Sequence, residues 1–209
     1  MKNFCIIFIF ILLTSLNNVN SQDTNDVLYR AFVFSAKIGY QTEDARNNFM
    51  LWYGEDLPAA FNFDLGFDFP LGKHYYLGLK YNGWISSDKV YDSYDTITLN
   101  RTIYGNNIDL IFKYRFVYDK FIFSPGIGIG STSISTGYSG LSSLEQNSPL
   151  VDKMPNVCFQ MDVEYFLTKN FLLSAEFSYY GMAQFDVGGG GRNNKFMQYK
   201  GGISYIFRN

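Results

Sequence analysis

The chain has 209 residues, with 17 basic against 19 acidic side chains and one histidine, a balance that gives no reason to expect nucleic acid as a partner. It is 19% aromatic, with 21 Phe and 17 Tyr against 5 Pro, a strand-forming composition, and its length fits one domain. The two cysteines fall at positions 5 and 158, and the first lies in an N-terminal apolar run.

That run, Phe4 to Leu13, follows a single basic residue, Lys2, and leads into a polar stretch that ends at Ser21. A helix needs about 20 apolar residues to span a bilayer, and this run is well short. It is expected to be a cleaved secretory signal over residues 1–21, with Val19 and Ser21 as the small residues before a cut ahead of Gln22. The mature domain is then 22–209, with 17 − 1 = 16 basic residues against 19 acidic and a formal charge of −3. Cys158 is left alone, so no intramolecular disulfide is expected. Cys5 lacks the context of an acylated lipoprotein cysteine.

The first strand is expected from Tyr29, with Phe32, Phe34, Ala36, Ile38 and Tyr40 on one face and Val33, Ser35, Lys37 and Gly39 on the other, because side chains alternate along a strand. After a charged, Asn-rich stretch the second strand sets Phe61, Phe63, Leu65, Phe67 and Phe69 against Asn62, Asp64, Gly66 and Asp68. So many Phe on one strand face would need a large soluble core, whereas a lipid-facing band takes them without a partner. A turn at 71–74 leads to a third strand with Tyr75, Leu77, Leu79, Tyr81 and Ile85 opposite Gly78, Lys80, Asn82 and Trp84. The polar stretch Ser86 to Arg101 is expected as a connection. The fourth strand then places Tyr104, Ile108, Leu110, Phe112, Tyr114 and Phe116 opposite Asn107, Asp109, Lys113 and Arg115.

Asp119 and Lys120 form the next turn, before a fifth strand with Phe121, Phe123, Ile127 and Ile129 opposite Ser124, Gly126, Gly128 and Gly130. This glycine alternation precedes no helix and no Lys-Ser/Thr pair, so it reads as room for bulky side chains from the opposite wall, not as a phosphate loop. Thr132 to Pro155 is expected to be irregular. Val157 to Tyr180 is a hairpin of two arms of about ten residues, the length of a tilted strand crossing a bilayer. Its faces are Val157, Phe159, Met161, Val163, Tyr165 and Leu167 against Cys158, Gln160, Asp162 and Glu164, then Phe171, Leu173, Ala175, Phe177 and Tyr179 against Ser174, Glu176 and Ser178. A glycine-rich loop precedes the last strand, where Met197, Tyr199, Ile203, Tyr205 and Phe207 oppose Gln198, Lys200, Gly202 and Ser204.

Eight strands result, joined alternately by long connections and by short turns centred on Lys73, Lys120 and Lys169. The expected architecture is all-β: an eight-stranded antiparallel up-and-down transmembrane barrel with its apolar faces toward lipid. Aromatic residues near strand ends suggest two girdles, one with Tyr29, Phe69, Tyr75, Phe121, Phe171, Tyr205 and Phe207, the other with Tyr40, Phe61, Tyr104, Tyr179 and Tyr199. The inner wall then gathers Lys37, Asp64, Asp68, Lys80, Asp109, Lys113, Arg115, Asp162, Glu164, Glu176 and Lys200. In so narrow a barrel these are expected to form a structural ion-pair network that fills the lumen and fixes register. Asp64 and Asp68, four apart on one strand, are too distant for a chosen metal pair.

No catalytic residue, metal ligand or cofactor site is expected. The single histidine, His74, falls in a short turn on the side away from the long loops, so Ser-His-Asp chemistry has no base in place. Two other arrangements fit the same alternation: a barrel with a narrow conduit for ions, and a soluble lipocalin-like calyx whose apolar face lines a cavity.

The strand count, the Lys-x-aromatic turns and the closing segment GGISYIF resemble the small eight-stranded outer-membrane barrels typified by the OmpA membrane domain and OmpX, and the Bacteroidetes-type outer-membrane β-barrel family in particular. That resemblance implies location in the bacterial outer membrane with lipid around the strands. It also implies contact with the outer-membrane assembly machinery through the C-terminal strand ending at Phe207, here third from the end of the chain. The role it implies is non-enzymatic: structural work, or binding and adhesion by the loops. The loop residues Leu141 to Ser148 are expected to be dispensable for folding.

Overall fold

The computed structural model describes residues 31–43, 59–92, 97–139, 150–184 and 192–207. The expected signal 1–21, the start of the mature domain, Tyr29 and the segment 141–148 lie outside the described residues. Nine strand segments follow in order: β1 Phe32–Glu43, β2 Ala60–Pro70, β3 Tyr75–Asp92, β4 Ile97–Tyr114, β5 Phe116–Tyr118, β6 Phe121–Ser139, β7 Leu150–Phe166, β8 Phe171–Gln184 and β9 Arg192–Phe207. Neighbours pair antiparallel, and β9 returns to β1, so the sheet closes on itself. Lys113 faces Gly126 and Phe116 faces Phe123 on one uninterrupted register, so β5 continues the line of β4 past Arg115. The barrel therefore has eight staves.

Its dimensions follow from the register. Stepping through paired inward positions from Val33 to Asp68, Gly78, Ile111, Gly128, Cys158, Tyr180 and Phe196 arrives at Glu43, ten residues further along the starting strand. With eight staves, that stagger sets a strand tilt of about 40° and a backbone radius of about 8 Å. Such a cylinder has room inside for side chains and little else.

Alternation decides which residues enter it. Phe63 is 43% exposed and Phe159 54%, while Asp64 and Glu164, on the same two strands, are 1% and 3% exposed. Apolar side chains face outward and ionised ones inward, opposite to the arrangement of a lipocalin-like calyx, so that expectation is corrected. One outward glycine is covered by an aromatic: a Cβ on Gly83 would meet the ring of Phe63, its ladder partner.

The strands outrun their expected ends. Ser86 to Arg101 is not a plain connection, since β3 continues to Asp92 and β4 begins at Ile97. Likewise β6 extends to Ser139 and β7 starts at Leu150, inside the segment expected to be irregular. An 18-residue strand at this tilt stands about 45 Å tall, against an apolar band of about 25 Å. The surplus rises into water, where neither face must be apolar, so the alternation that marks a membrane strand fades while the ladder goes on.

The short turns are tightly specified. Tyr118 pairs with Phe121 across Asp119 and Lys120, and Asp119 adopts φ 53°, a left-handed conformation that Asp tolerates. At 167–170 the Thr168 hydroxyl accepts from the Asn170 and Phe171 amides at 3.3 and 3.1 Å. Above these turns lies a belt of rings in contact. Phe171, Tyr205, Phe207, Phe67, Phe69 and Phe32 form one arc, and Tyr75, Tyr114, Phe116, Phe123, Phe121 and Tyr165 a second.

Candidate functional site: the barrel lumen

Four tiers of side chains occupy the lumen. At the short-turn end Ala31, Val33, Ile122, Phe166, Leu172 and Ile206 form an apolar plug, with Val117 packed against it. Toward the long connections, Ala60, Trp84, Ile103, Ile134, Met154, Met182 and Phe196 belong to a second apolar cluster. Two polar tiers lie between them.

The first is ionic. Lys37 bridges Asp162 at 2.6 Å and Glu176 at 2.7 Å. Lys80 meets Glu176 at 2.8 Å and Asp64 at 3.7 Å, and Lys200 meets Asp64 at 2.7 Å and Glu176 at 3.0 Å. Lys113 joins Asp68 at 2.9 Å to Asp162 at 3.2 Å, and Arg115 joins Asp68 at 2.9 Å to Glu164 at 3.4 Å. Arg115 also stacks 4.3 Å from the Tyr76 ring centre, at the border with the apolar plug. These contacts cross the barrel, tying β1 to β7 and β8, and β9 to β2. Glu176 is the hub, accepting from three ammonium groups and from the Ser178 hydroxyl at 2.7 Å.

All eleven lumen positions expected from the sequence point inward and are buried. Ten of them share these ion pairs, and Asp109 does not. Asp64 and Asp68 are drawn to different cations, and no three His, Cys, Asp or Glu side chains among the described residues are placed to hold a metal ion. Sequence reasoning missed Arg101, which is inward and buried. Its odd number matches the inward positions Asn107, Asp109 and Lys113 of the same strand, so the signal was there once β4 is carried far enough back. It also missed inward apolar residues such as Tyr76, Ile111 and Leu172.

The second polar tier is built from amides. The Asn82 side chain donates to the Phe63 carbonyl at 3.0 Å, and its oxygen accepts from Asn107 at 3.2 Å and from Gln198 at 2.9 Å. Gln198 also donates to Gln41 at 2.8 Å, and Asn156 to the Thr132 hydroxyl at 2.9 Å. The Tyr180 hydroxyl donates to Asp109 at 3.0 Å. Glycines make space for this tier: a Cβ on Gly105 would strike the Trp84 indole, and one on Gly130 the Asp109 carboxylate. Cys158 is buried opposite Gly128, a free thiol packed as a small apolar group. His74 lies outside the lumen, on the short turn, its Nδ1 3.1 Å from the Arg115 carbonyl oxygen.

No protein-family model matches the chain, and no curated protein matches it. Among solved structures it is similar to the outer-membrane protein OprG of Pseudomonas aeruginosa, at 13% identity over 86% of this chain and 97% of that one, with a TM-score of 0.59. It is also similar to neisserial surface protein A, at 13% identity over 85% and 97%, TM-score 0.56. A third is Ail, the attachment invasion locus protein of Yersinia pestis, solved with the heparin analogue sucrose octasulfate, at 13% identity over 85% and 99%, TM-score 0.52. At such identity the likeness is one of fold. This chain has the fold of the small eight-stranded bacterial outer-membrane barrels, and its greasy exterior and ionised interior are those of a barrel set in lipid. The narrower Bacteroidetes-type resemblance has no matching family model.

Proposed function

We propose that this protein is a non-enzymatic integral outer-membrane barrel whose strands anchor it and whose long-connection end does its work, by structural contact or by binding and adhesion. The observation that carries this reading is the filled lumen. Side chains from opposite walls meet throughout the ionic tier, and apolar clusters lie to either side of it. Neither a conduit nor a substrate cleft is a natural use of such an interior, which leaves the rim as the surface able to meet a partner. The lone histidine supports the same reading, because it sits at the opposite end from the long connections.

In this reading the ionic tier is a structural device that fixes stave register, and the surrounding partner is outer-membrane lipid. Phe207, exposed on β9 and paired with Phe32 across the closing seam, is the residue offered to the assembly machinery.

Planar bilayers containing folded, heat-modifiable protein test the proposal. They should stay electrically silent, and discrete stable openings would overturn it in favour of a narrow pore. Deleting 141–148 should then leave heat modifiability intact while lowering retention of protein-bearing vesicles on the surfaces that intact protein binds.

A further inference from the structure

We propose that the amide tier is a binding site for one small monovalent cation, sodium or potassium, held by Asp109 together with neighbouring side-chain oxygens. The inference depends on the fold and not on the role given to the rim.

The ionic tier matches five cations (Lys37, Lys80, Lys113, Arg115, Lys200) to five carboxylates (Asp64, Asp68, Asp162, Glu164, Glu176). Asp109 is the sixth carboxylate, 0% exposed and in none of those pairs. Lys80 is its ladder partner, yet the ammonium turns to Glu176 and to the Gln160 oxygen at 2.7 Å. Its hydrogen-bond partners are neutral, the Tyr180 hydroxyl and the side chain of Asn156, while Lys80 and Lys200 act on it only through space, with their ammonium groups bonded to other carboxylates. Arg101 lies eight residues away on the same strand, about 26 Å of extended chain, beyond the reach of its side chain. A fully buried carboxylate in no direct ion pair is a costly group, and a cation bound to it lowers that cost.

Amide orientation in this tier is not free to adjust. The Phe63 carbonyl can only accept, so Asn82 must present its NH2 there and its oxygen to the lumen. That oxygen in turn obliges Asn107 and Gln198 to approach with their own NH2 groups. Asn107 Oδ1 and Gln198 Oε1 are thereby left as acceptors without a donor, as are Asp109 Oδ1, Asn156 Oδ1 and Asn62 Oδ1. Against these oxygens the tier offers two unmet donors, Asn62 Nδ2 and Trp84 Nε1. An occupant that satisfies this excess of oxygen must supply more positive charge or protons than it accepts.

A monovalent cation fits both counts. It brings the one charge that Asp109 lacks, and amide oxygens are suitable hard ligands for it. A divalent ion would want a second carboxylate, which the ionic tier has already engaged. Asn107 and Asp109 share the inner face of β4, Asn107 faces Asn82 and Thr132 across the ladders, and Asn156 and Gln198 reach those same residues, so the oxygens occupy adjoining rows.

The test uses the full mature chain folded in phosphatidylcholine vesicles, with melting followed in sodium, potassium and N-methylglucamine chlorides at matched ionic strength. A ligand that binds only the folded state raises the melting temperature with its concentration. The expected result is a rise of several degrees in sodium or potassium over N-methylglucamine, abolished in Asp109→Asn, whose melting in N-methylglucamine equals or exceeds that of the parent. Superimposed curves in the three salts would overturn the proposal, leaving water or a proton on Asp109 as the occupant. A salt difference that survives in Asp109→Asn would also overturn it. Should that variant not fold, sodium-23 and potassium-39 relaxation on the parent protein decide: broadening of either line above that of empty vesicles, reversed by the other cation, is expected, and its absence for both refutes the site.

Discussion

The ionic and amide tiers sit next to each other in one lumen and handle buried polarity in opposite ways. In the ionic tier every formal charge faces an opposite one, and the bridging is redundant: Glu176 serves three lysines, and Asp68 serves Lys113 and Arg115. In the amide tier the groups are mostly neutral, each bond fixes the direction of the next, and the chain of donors runs out before the acceptors do. A charged layer can close on itself with long flexible side chains that choose among partners. A layer of short amides on rigid staves cannot, because Asn offers two donors and one oxygen at fixed angles from its backbone.

That contrast can be broken at its strongest point first. Glu176→Ala removes the hub of the ionic tier and leaves three buried ammonium groups short of a partner, so unfolding by urea in vesicles should show a loss of about 3–5 kcal/mol. Leu110→Arg adds a charge on the lipid side of the stave that carries Asp109, and should cost about 2–4 kcal/mol if Leu110 lies near mid-bilayer, by the same measurement. A value near zero there would mean that the band lies elsewhere. Asn82→Ala takes out the amide that orients its neighbours and should cost about 1–3 kcal/mol, less than the ionic hub because only neutral groups are stranded. The smallest effect is expected from Phe69→Leu in the lower aromatic belt, at most about 1.5 kcal/mol, since its ring contacts with Phe32 and Phe67 are partly replaced by lipid. If Asn82→Ala proved as damaging as Glu176→Ala, the two tiers would not differ in the way described.

Much of the architecture could be read from alternation, because in the lipid-spanning part both faces are constrained at once. Residues Phe61 to Phe69 are the clearest case: each outward apolar residue is paired with an inward polar or small one, and the strand lies where it was expected. Legibility ended where water replaces lipid. Between Ser86 and Arg101 the outward face no longer has to be greasy, so the strand there reads as a connection and Arg101 carries no mark of a lumen position. Inward apolar residues such as Ile111 were obscured for a related reason, since the plug and the upper cluster make parts of both faces hydrophobic. Parity placed Asp109 inside with the other charges, but it could not separate the unpaired acid from the paired ones. Lys37 reaches Asp162 across 125 positions of sequence, and which cation meets which acid depends on stagger around the cylinder, a property of no single strand.

The closing seam between the first and last staves has a consequence for biogenesis. Lys200 on β9 finds Asp64 on β2, and Lys37 on β1 finds Asp162 on β7, only after the ends of the chain have zipped together. Zipping two residues out of step would keep every oily side chain outdoors, so the bilayer alone would not object. Mismatched ammonium and carboxylate groups would object instead, which makes the interior a proofreader of the final suture.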